Sequence, residues 1–571
     1  MYQKEYQLWV ESVKEEYLKE QLKNMTEAEK EDAFYRNLEF GTGGMRGVVG
    51  PGTNRMNVYT IRKANEGFAQ YLLKNNEHAK EQGVVIAYDC RHFSPEFAME
   101  SAKVMASHGI KAYVFESLRP TPELSFAVRH LQAAGGIVVT ASHNPPEYNG
   151  YKLYDETGCQ LVPHQGDEVI KYVDAIQDVF NIQVRSEEEL KSEGLIEMIG
   201  EEIDTAYINA VKTLEINPNC NKKELKIVFS PLHGTANLPV RRVLTECGYE
   251  QLHVVKEQCT VDANFSTVSS PNPEETSAFE MAINLAKEID ADIAMATDPD
   301  ADRVGLAVKN PKGDYVLLTG NQTGAILIHY ILSQKKAKGT LPAKGKVFNT
   351  IVTSDMGAVI ARSYGFEIVS TLTGFKFIGE QARLIENTDY EYVFGYEESY
   401  GYLIGDFVRD KDSVQSVLMC SEAAAYYKEH GKTLYDILME LYENYGCYRE
   451  ELVTITLKGK VGAEKIQAIM DYFRKNTPDS VADKKIVAIE DYKESIHADL
   501  TNDSTSTIHL PKSNVLKYTL ADGSWFVLRP SGTEPKAKVY IGVIANTIES
   551  ADLQVAKIKK DVLTRVNEVI A

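Results

Sequence analysis

A serine follows an apolar run in the segment GIVVTASHNPPEYNGYK, where the run ends at Val139 and Ser142 enters a loop rich in His, Asn and Pro. The two prolines fix backbone angles and remove donors, which favours a rigid exposed turn. A serine held in such a turn can act as a nucleophile, or carry a phosphoryl group if nearby cations stabilise its charge. The same residues also suit an ordinary turn whose side chains cap the backbone, because short motifs have low specificity.

Three aspartates alternate in the segment ATDPDADR, which follows another apolar run. Asp298, Asp300 and Asp302 would repel one another, and a hard dication such as Mg²⁺ relieves that repulsion through oxygen ligands. An EF-hand loop also begins D-x-D-x-D, but it requires glycine at its sixth position, where this chain has Arg303. The pattern therefore indicates a magnesium site of another kind, and a solvated acidic turn is its less favoured alternative.

Two further loops suit a sugar and a phosphate. The segment FGYEESYGY holds Glu397 and Ser399 between glycines, and such acceptors can bind vicinal sugar hydroxyls, although a surface acidic turn explains the pattern equally well. The segment FVLRPSGTEPK offers a guanidinium, two hydroxyls and accessible backbone N–H groups, which suit a phosphate monoester or, alternatively, an arginine-anchored hairpin turn. Its polar groups belong to Arg529, Ser531, Gly532 and Thr533.

The elements that must position these loops follow a repeating pattern, in which a short apolar run precedes a polar loop and then a helical pattern. The runs read VVIAYD, AYVFES, GIVVTASH, KIVFSPLHG, ADIAMATDPDADR and EYVFGYEES. Continuous apolar runs of this length predict strands buried on both faces, and hence α/β domains with parallel or mixed sheets. Ligands of such sheets collect beyond the carboxyl ends of the strands, where the candidate residues fall.

The pattern changes along the chain and divides it into four predicted domains. The opening 40 residues predict helices, an acidic stretch over 186–203 precedes the second group of strands, and another helical pattern opens near residue 320. Around residues 445–452 shorter strands and helices begin, which is typical of a smaller α+β domain. The predicted domains are 1–205, 206–322, 323–445 and 446–571.

Composition limits the class of protein. A length of 571 residues predicts about three to five domains. The 82 acidic and 62 basic residues give a formal charge of −20, which argues against nucleic acid or an anionic membrane as a partner. The seven scattered cysteines contain no C-x-x-C pair, so neither a disulfide framework nor a zinc site is indicated. Because no signal-peptide core or long apolar run is present, we expect a cytoplasmic protein.

Together the four loops resemble those of the α-D-phosphohexomutase superfamily, and within it the longer bacterial phosphoglucomutase branch. The motifs come in the family's order, as phosphoserine loop, metal loop, sugar loop and phosphate loop, and the resemblance covers nearly the whole chain. It implies four domains around a central cleft, of which the first three are related α/β domains with mixed sheets and the last is an α+β domain.

The resemblance also implies roles for individual residues. Ser142 would be the phosphoserine, and its phosphoryl oxygen would join the three aspartates as a ligand of one Mg²⁺ per subunit. Glu397 and Ser399 would bind sugar hydroxyls, and the loop that begins at Arg529 would bind phosphate. The implied cations of the cleft are Arg46 in GTGGMRG, Lys152, Arg303 and Lys376 in TLTGFKFIG. Lys152 is the first choice for proton transfer, and His143 is the alternative.

The activity that the resemblance implies is the interconversion of glucose 1-phosphate and glucose 6-phosphate, with glucose 1,6-bisphosphate as intermediate and activator. A phosphopentomutase or phosphomannomutase of the same superfamily is the nearest alternative, because the form GYEES differs from the GEES or GEMS of other branches. A metal-dependent sugar phosphatase and a non-catalytic sugar-phosphate binder are more distant alternatives. We expect small sugar phosphates as the only partners, and a monomer or weak homodimer.

Overall fold

In the computed structural model the protein is described over residues 2–41, 44–457, 459–531 and 536–570. The chain forms two compact units. The first contains Met1–Phe348 and Phe375–Tyr435, and the second contains Asn349–Gly374 and Asp436–Ala571. Within the described ranges, no helix combines the length and the apolar character that crossing a bilayer requires.

The first unit begins with the helices that the sequence predicts, namely α1 (Tyr2–Ser12), α2 (Glu16–Asn24) and α3 (Glu27–Phe34). Trp9, Leu18 and Leu22 form their buried face, whereas Leu8 and Val10 are exposed. The helix α3 starts with a capping box between Thr26 and Glu29, in which each side chain satisfies the other's backbone N–H. Trp9, Leu18 and Leu22 share a hydrophobic cluster with Tyr59, so tertiary packing and not propensity alone stabilises these helices.

The first sheet has six strands in the order β1-β5-β4-β2-β3-β6. Its strands β2, β3, β4 and β6 run parallel, whereas β5 runs antiparallel to both β4 and β1. The strands are β1 (Gly44–Val48), β2 (Val84–Tyr88), β3 (Ala112–Phe115), β4 (Gly135–Val139), β5 (Tyr148–Asp155) and β6 (Ile196–Ile199). The helices are α4 (Val58–Asn75), α5 (Ala79–Gln82), α6 (Ser94–Ser107), α7 (Thr121–His130), α8 (Pro163–Ala175), α9 (Glu187–Ser192) and α10 (Glu201–Lys212).

The second sheet has five strands in the order β11-β10-β9-β7-β8. Here β8, β7 and β9 are parallel, and β10 and β11 continue the sheet in antiparallel fashion. The strands are β7 (Ile227–Ser230), β8 (Leu252–Val254), β9 (Ile293–Thr297), β10 (Val304–Lys309) and β11 (Tyr315–Leu317), with helices α11 (Asn237–Glu246) and α12 (Glu280–Ile289). Every residue of β7 and β9 is buried, as the continuous apolar runs predict.

A third group of strands follows, in which β12 runs parallel to β14 and β14 runs antiparallel to β15. The strands of this part of the chain are β12 (Gly345–Thr350), β13 (Glu367–Thr371), β14 (Glu391–Tyr396) and β15 (Tyr402–Leu403). The helices are α13 (Gly320–Ala337), α14 (Asp355–Ser363), α15 (Phe375–Ile385), α16 (Ser413–Glu429) and α17 (Leu434–Tyr445). All of β13 and α14 belong to the second unit.

The C-terminal part differs from the others because its large sheet is antiparallel, with strands in the order β16-β23-β22-β21-β18-β19-β20. The strands are β16 (Cys447–Thr456), β17 (Ser480–Val481), β18 (Lys484–Asp491), β19 (Ile496–Asp499), β20 (Ser504–Thr507), β21 (Leu516–Leu520), β22 (Trp525–Pro530) and β23 (Lys536–Ala545). The helices are α18 (Gly459–Lys475) and α19 (Ile548–Ile570). The predicted fold class, three mixed α/β sheets and a C-terminal α+β domain, is confirmed. The domain boundaries near 205, 322 and 445 stay predictions.

Candidate active site

The backbone at Ser142 has an unusual conformation. Ser142 lies just beyond β4 with φ of 52°, in the left-handed region that non-glycine residues rarely adopt. Its backbone N–H donates to Oγ1 of Thr140 at 2.8 Å, and that hydroxyl donates to Oδ2 of Asp89 at 2.6 Å. All three residues are buried. A buried network therefore holds the serine in a strained turn, a feature that is concentrated at functional sites.

Arg91 is the main support of the serine loop, and sequence reasoning did not select it. Its guanidinium is buried and pairs with Asp89 at 3.3 Å. It also donates to four loop carbonyls, those of Ser142 at 2.6 Å, Pro145 at 2.8 Å and Tyr148 at 3.0 Å, and of Asn144. Only arginine carries enough donors in a rigid fork for this task. The available signal was an Asp-Cys-Arg sequence at the end of the buried run VVIAY.

The three aspartates of the metal loop lie together and are buried. One carboxylate oxygen from each of Asp298, Asp300 and Asp302 lies within 4.8 Å of the others. The loop closes on Asp298, whose Oδ1 accepts the backbone N–H of Asp302 at 3.0 Å and of Arg303 at 2.9 Å. Ala301, at φ of 57°, provides the left-handed residue that this tight turn needs.

Two oxygens of this cluster fit a metal ion. Oδ1 of Asp300 and Oδ1 of Asp302 are buried and accept no hydrogen bond from any residue that the structure describes. A buried carboxylate oxygen without a partner is costly, and a hard divalent cation with oxygen ligands satisfies it. The cluster can therefore hold a divalent metal ion, as the spacing of the aspartates predicts.

The structure brings the serine to this cluster. Oγ of Ser142 donates to Oδ2 of Asp298 at 2.7 Å and lies 3.1 Å from Nδ1 of His143. Burial, reinforced by the charges of Arg303 and Arg46, lowers the pKa of His143 well below its usual value. The imidazole beside the serine is therefore neutral at neutral pH.

Two lysines face the aspartates from different elements. Nζ of Lys152, on β5, lies 2.9 Å from Oδ2 of Asp300, and Nζ of Lys411 lies 2.9 Å from Oδ2 of Asp302. Burial opposes both positive charges, but the nearby carboxylates outweigh it and raise the pKa of each lysine. Sequence reasoning did not select Lys411. The only pattern that could have indicated it is the charged segment FVRDKDS, which follows β15.

The same cations act on the aspartates. Burial by itself would raise the pKa of Asp300, but the charge of Lys152 outweighs it and the pKa lies below the usual value. The pKa of Asp302 is also lowered, since Lys411 and Lys152 overcome burial and the repulsion from Asp300. Asp298, by contrast, has a raised pKa because of burial and its two acidic neighbours. Two carboxylates of the cluster are thus kept ionised by partly buried lysines.

The sugar loop adjoins the metal loop. The backbone N–H of Val304 donates to the carbonyl of Tyr400 at 3.1 Å, and Tyr400 is held at φ of 64°. Arg303 pairs with Glu274, and the charge of the buried Glu397 helps to raise the pKa of both Arg303 and Lys411. The loop therefore places Glu397, with Ser399 two residues further along, in the electrostatic range of the metal loop.

The two remaining predicted cations of the first unit, Arg46 and Lys376, lie on different elements, β1 and α15. Nη1 of Arg46, on β1, donates to Oδ1 of Asn144 at 2.7 Å, so this arginine adjoins the serine loop. Lys376 lies in the first turn of α15, where its ammonium is 5.5 Å from the ring centroid of Phe377. Arg46 thus belongs, through its hydrogen bond to Asn144, to the set of side chains around Ser142, which is called the Ser142 group below.

The predicted phosphate loop belongs to the second unit. Arg529 lies on β22 and its Nη1 donates to the hydroxyl of Tyr540 on β23 at 3.3 Å. The backbone N–H of Ser531 donates to the carbonyl of Lys536 at 2.7 Å. Gly532 and Thr533, also predicted for this loop, lie outside the described residues.

Thr121, the first residue of α7, is a third supporting residue that the sequence did not reveal. Its backbone N–H donates to the carbonyl of Asp300 at 2.9 Å and its hydroxyl donates to Oδ2 of the same residue at 3.2 Å. Since Lys152 binds that same Oδ2, two donors fix the rotation of the carboxylate and leave Oδ1 available.

We therefore expect Thr121→Val to weaken divalent-ion binding about tenfold or more, the typical cost of removing an outer hydrogen bond from a metal ligand. Calorimetric titration of Mg²⁺ into the purified chain measures this without any turnover. Thr121→Ser keeps the hydroxyl and serves as the matched control, with an affinity close to that of the parent chain. Equal affinities of the valine variant and the parent would show that this hydroxyl does not orient Asp300.

Comparison with known families gives four consecutive matches. Residues 37–179 match the Phosphoglucomutase/phosphomannomutase alpha/beta/alpha domain I, and residues 205–313 match domain II. Residues 319–445 match alpha/beta/alpha domain III, and residues 479–554 match the C-terminal domain. The four matches cover most of the chain and include both the serine loop and the metal loop.

Curated relatives and solved structures agree with these matches. A phosphoglucomutase of Staphylococcus epidermidis is 39% identical over 535 residues, which covers 94% of this chain and 96% of the relative. One from Staphylococcus aureus is 39% identical over 538 residues, which covers 94% and 95%.

Among solved structures, the phosphoglucomutase parafusin of Paramecium, in its open form, shares the fold with a TM-score of 0.67 at 19% identity, covering 93% of this chain and 95% of the other. A phosphoglucomutase/phosphomannomutase family protein of Burkholderia thailandensis gives a TM-score of 0.66 at 19% identity, with coverages of 93% and 97%. The four domain matches and the full-length relatives agree, and the chain belongs to the phosphoglucomutase/phosphomannomutase family.

Proposed function

We propose that the chain is a phosphoglucomutase that interconverts glucose 1-phosphate and glucose 6-phosphate. The observation that carries this proposal is the buried hydroxyl of Ser142, which lies 2.7 Å from Asp298 in a cluster able to hold a divalent ion. The names of the full-length relatives support glucose as the sugar. The enzyme is accordingly an intramolecular phosphotransferase of the isomerase class.

The reaction consists of two phosphoryl transfers. In the first, the bond between phosphorus and Oγ of phosphorylated Ser142 breaks, a bond forms to the free hydroxyl of the hexose monophosphate, and the hydroxyl proton leaves to a base. The product of this step is glucose 1,6-bisphosphate. The bisphosphate then turns end for end and returns its other phosphoryl group to Ser142, which restores the phosphoserine. Added glucose 1,6-bisphosphate would activate the enzyme by phosphorylating an empty Ser142.

The charges around Ser142 suit this transfer. Asp298, Asp300 and Asp302, together with a phosphoryl oxygen on Ser142, would hold Mg²⁺, and the ion would offset negative charge on the transferring group. Lys152, Lys411, Arg303 and Arg46 surround the same place with positive charge that burial would otherwise disfavour. Such fixed charges need no rearrangement during the reaction, which is the main source of catalysis in phosphoryl transfer.

Proton transfer requires one group that accepts and one that donates. His143 is assigned as the acceptor, because its imidazole is neutral and its Nδ1 lies 3.1 Å from Oγ of Ser142. Lys152 is the better donor, because its raised pKa keeps it protonated among the carboxylates. Both residues thus take part in the proposed mechanism, with the acidic and basic roles exchanging between the two half-reactions.

Binding of the sugar and of its second phosphate is assigned to the other loops. Glu397 would accept hydrogen bonds from sugar hydroxyls, and Ser399 would donate one or accept one. Lys376 would add a positive charge at the sugar phosphate. The loop of Arg529, Ser531, Gly532 and Thr533 would bind the phosphate that is not transferred. A site that recognises phosphate by charge can bind either end of the bisphosphate, which the end-for-end turn requires.

The proposal is tested by assaying the purified chain with Mg²⁺, a trace of glucose 1,6-bisphosphate and equal concentrations of glucose, mannose and ribose 1-phosphates. We expect glucose 6-phosphate to form about tenfold faster or more than the other products, a discrimination that a few hydroxyl contacts can provide. Inorganic phosphate should form far more slowly. A marked preference for ribose 1-phosphate would make the chain a phosphopentomutase, and phosphate release at the rate of substrate loss would make it a phosphatase.

A further inference from the structure

A cavity of about 530 Å³ lies in the first unit beside β1, the strand that carries Arg46. Its walls come from α1, the segment before β1, α4 and α8, and they include Trp9, Phe40, Met45, Tyr59, Lys63 and Ala64. This volume is typical of small-molecule sites, which are mostly apolar with a few placed polar groups. Met45 lines the cavity, and because successive strand residues face opposite sides, the next residue, Arg46, points away towards Asn144.

Trp9 supplies an unused hydrogen-bond donor in this wall. The residue is only 2% exposed, and its ring packs edge-on against Phe34 and Tyr59. Its indole N–H donates to no residue within the described ranges, and its nitrogen is not fully buried. A ligand that enters the cavity can therefore offer an acceptor to a donor whose ring is already fixed.

The charge in the cavity favours an anion. Four charged residues line it, and Arg36, Glu39 and Asp174 are exposed, where water screens their charges. Lys63 is partly buried and its ammonium forms no ion pair within the part of the chain that the structure describes. Because a partly desolvated charge interacts more strongly than an exposed one, Lys63 determines the preference for a negative group.

We propose that this cavity is a binding site for a small organic anion with a flat aromatic body, such as an aromatic carboxylate or sulfonate. The rings of Trp9, Phe40 and Tyr59 would contact the body, and the indole N–H and Lys63 would bind its acceptor and charge. The family match begins at residue 37, so the helix that provides Trp9 lies before it. The site is separate from the Ser142 group and does not depend on the proposed reaction.

A ligand bound in the cavity would affect the active site through β1. This strand pairs with β5, with Gly44 opposite Lys152 and Arg46 opposite Gly150. A ligand packed against Met45 would hold β1 against β5, and thereby fix the position of Arg46. We therefore expect the amide hydrogens of β1 to exchange more slowly when a ligand fills the cavity.

The test uses the dye 8-anilinonaphthalene-1-sulfonate, which has aromatic rings and a sulfonate. The chain contains two tryptophans, so excitation of tryptophan with detection of dye emission reports on both Trp9 and Trp525. We expect saturable transfer to one bound dye per chain, lost in Trp9→Phe and retained in the matched variant Trp525→Phe. Transfer that is lost only in Trp525→Phe, or that never saturates, would overturn the proposal.

Two further variants test the cavity itself. Ala64→Leu fills the cavity from α4 and should weaken dye binding about tenfold, whereas Ala28→Leu, at an exposed position of α3, should not. Lys63→Gln removes the charge without altering the core and should weaken binding severalfold, which covers the case in which Ala64→Leu does not fold. Unchanged affinity in Lys63→Gln and in a folded Ala64→Leu, or unchanged exchange over Gly44–Val48 at saturating dye, would refute the site.

Discussion

Ser142→Ala is expected to lower turnover by roughly 10⁴-fold or more, the scale seen when the nucleophile of a covalent mechanism is removed. The structure places no other described hydroxyl in hydrogen-bonding contact with Asp298. The alanine variant should also remain unphosphorylated after incubation with glucose 1,6-bisphosphate. Intact-mass measurement before and after incubation checks this, since the parent chain gains one phosphoryl group.

The backbone at Ser142 calls for a second variant. Alanine at φ of 52° keeps the strain of the native turn, whereas glycine adopts this conformation freely. Ser142→Gly should therefore fold at least as well as the parent and be equally inactive. Ser192→Ala, on the exposed end of α9, is the matched control and should keep full activity. Phosphorylation or substantial turnover in either Ser142 variant would contradict the proposed phosphoserine.

The strand-end loops of the site were predictable because their signal is local. Each buried run reads as continuous apolar sequence, and the chemistry follows where the run stops, as at Val139 before Ser142 and at Thr297 before Asp298. The resemblance then supplied the order of the loops. The register of β1 beside β5, which places Arg46 near the serine loop, has no comparable local pattern.

The supporting residues were not predictable, since their roles depend on contacts between distant parts of the chain. Thr121 binds Asp300 from 179 positions away, and Arg91 reaches the carbonyl of Ser142 across 51 positions. Lys411 sits in a charged segment that reads as a solvated turn. The supporting role of each of these residues becomes visible only in the folded structure. Burial lowers the local dielectric constant, and this strengthens the ion pairs and hydrogen bonds that these residues form.

Charge balance in the metal cluster explains why the serine and the ion depend on each other. Lys152 pairs with Asp300 and Lys411 pairs with Asp302, both at 2.9 Å, whereas Arg303 pairs with Glu274 and lies 3.8 Å from Asp302. The two lysines therefore offset part of the negative charge of the cluster when no ion is bound. A phosphoryl group on Ser142 adds a charge of about −2, and a divalent cation restores the balance.

Asp300→Asn is accordingly expected to lower turnover by roughly 10²- to 10³-fold, because a metal ion contributes several kcal/mol of stabilisation to the transferring charge. The fold should persist, since the variant removes a repulsive carboxylate while Asp302 still pairs with Lys411. Removing Mg²⁺ with a chelator should abolish turnover of the parent chain in the same way, and restoring the ion should recover it.

Thermal unfolding separates loss of the ion from loss of the fold. At a Mg²⁺ concentration of about 100 times the dissociation constant, binding stabilises the parent by about 2.7 kcal/mol, and Asp300→Asn should lose most of that gain while melting normally without the ion. Asp290→Asn is the matched control, because Asp290 is exposed and has φ of 54°, a conformation that asparagine tolerates. If Asp300→Asn kept both the Mg²⁺-dependent stabilisation and the turnover of the parent, the carboxylate of Asp300 would not be a metal ligand.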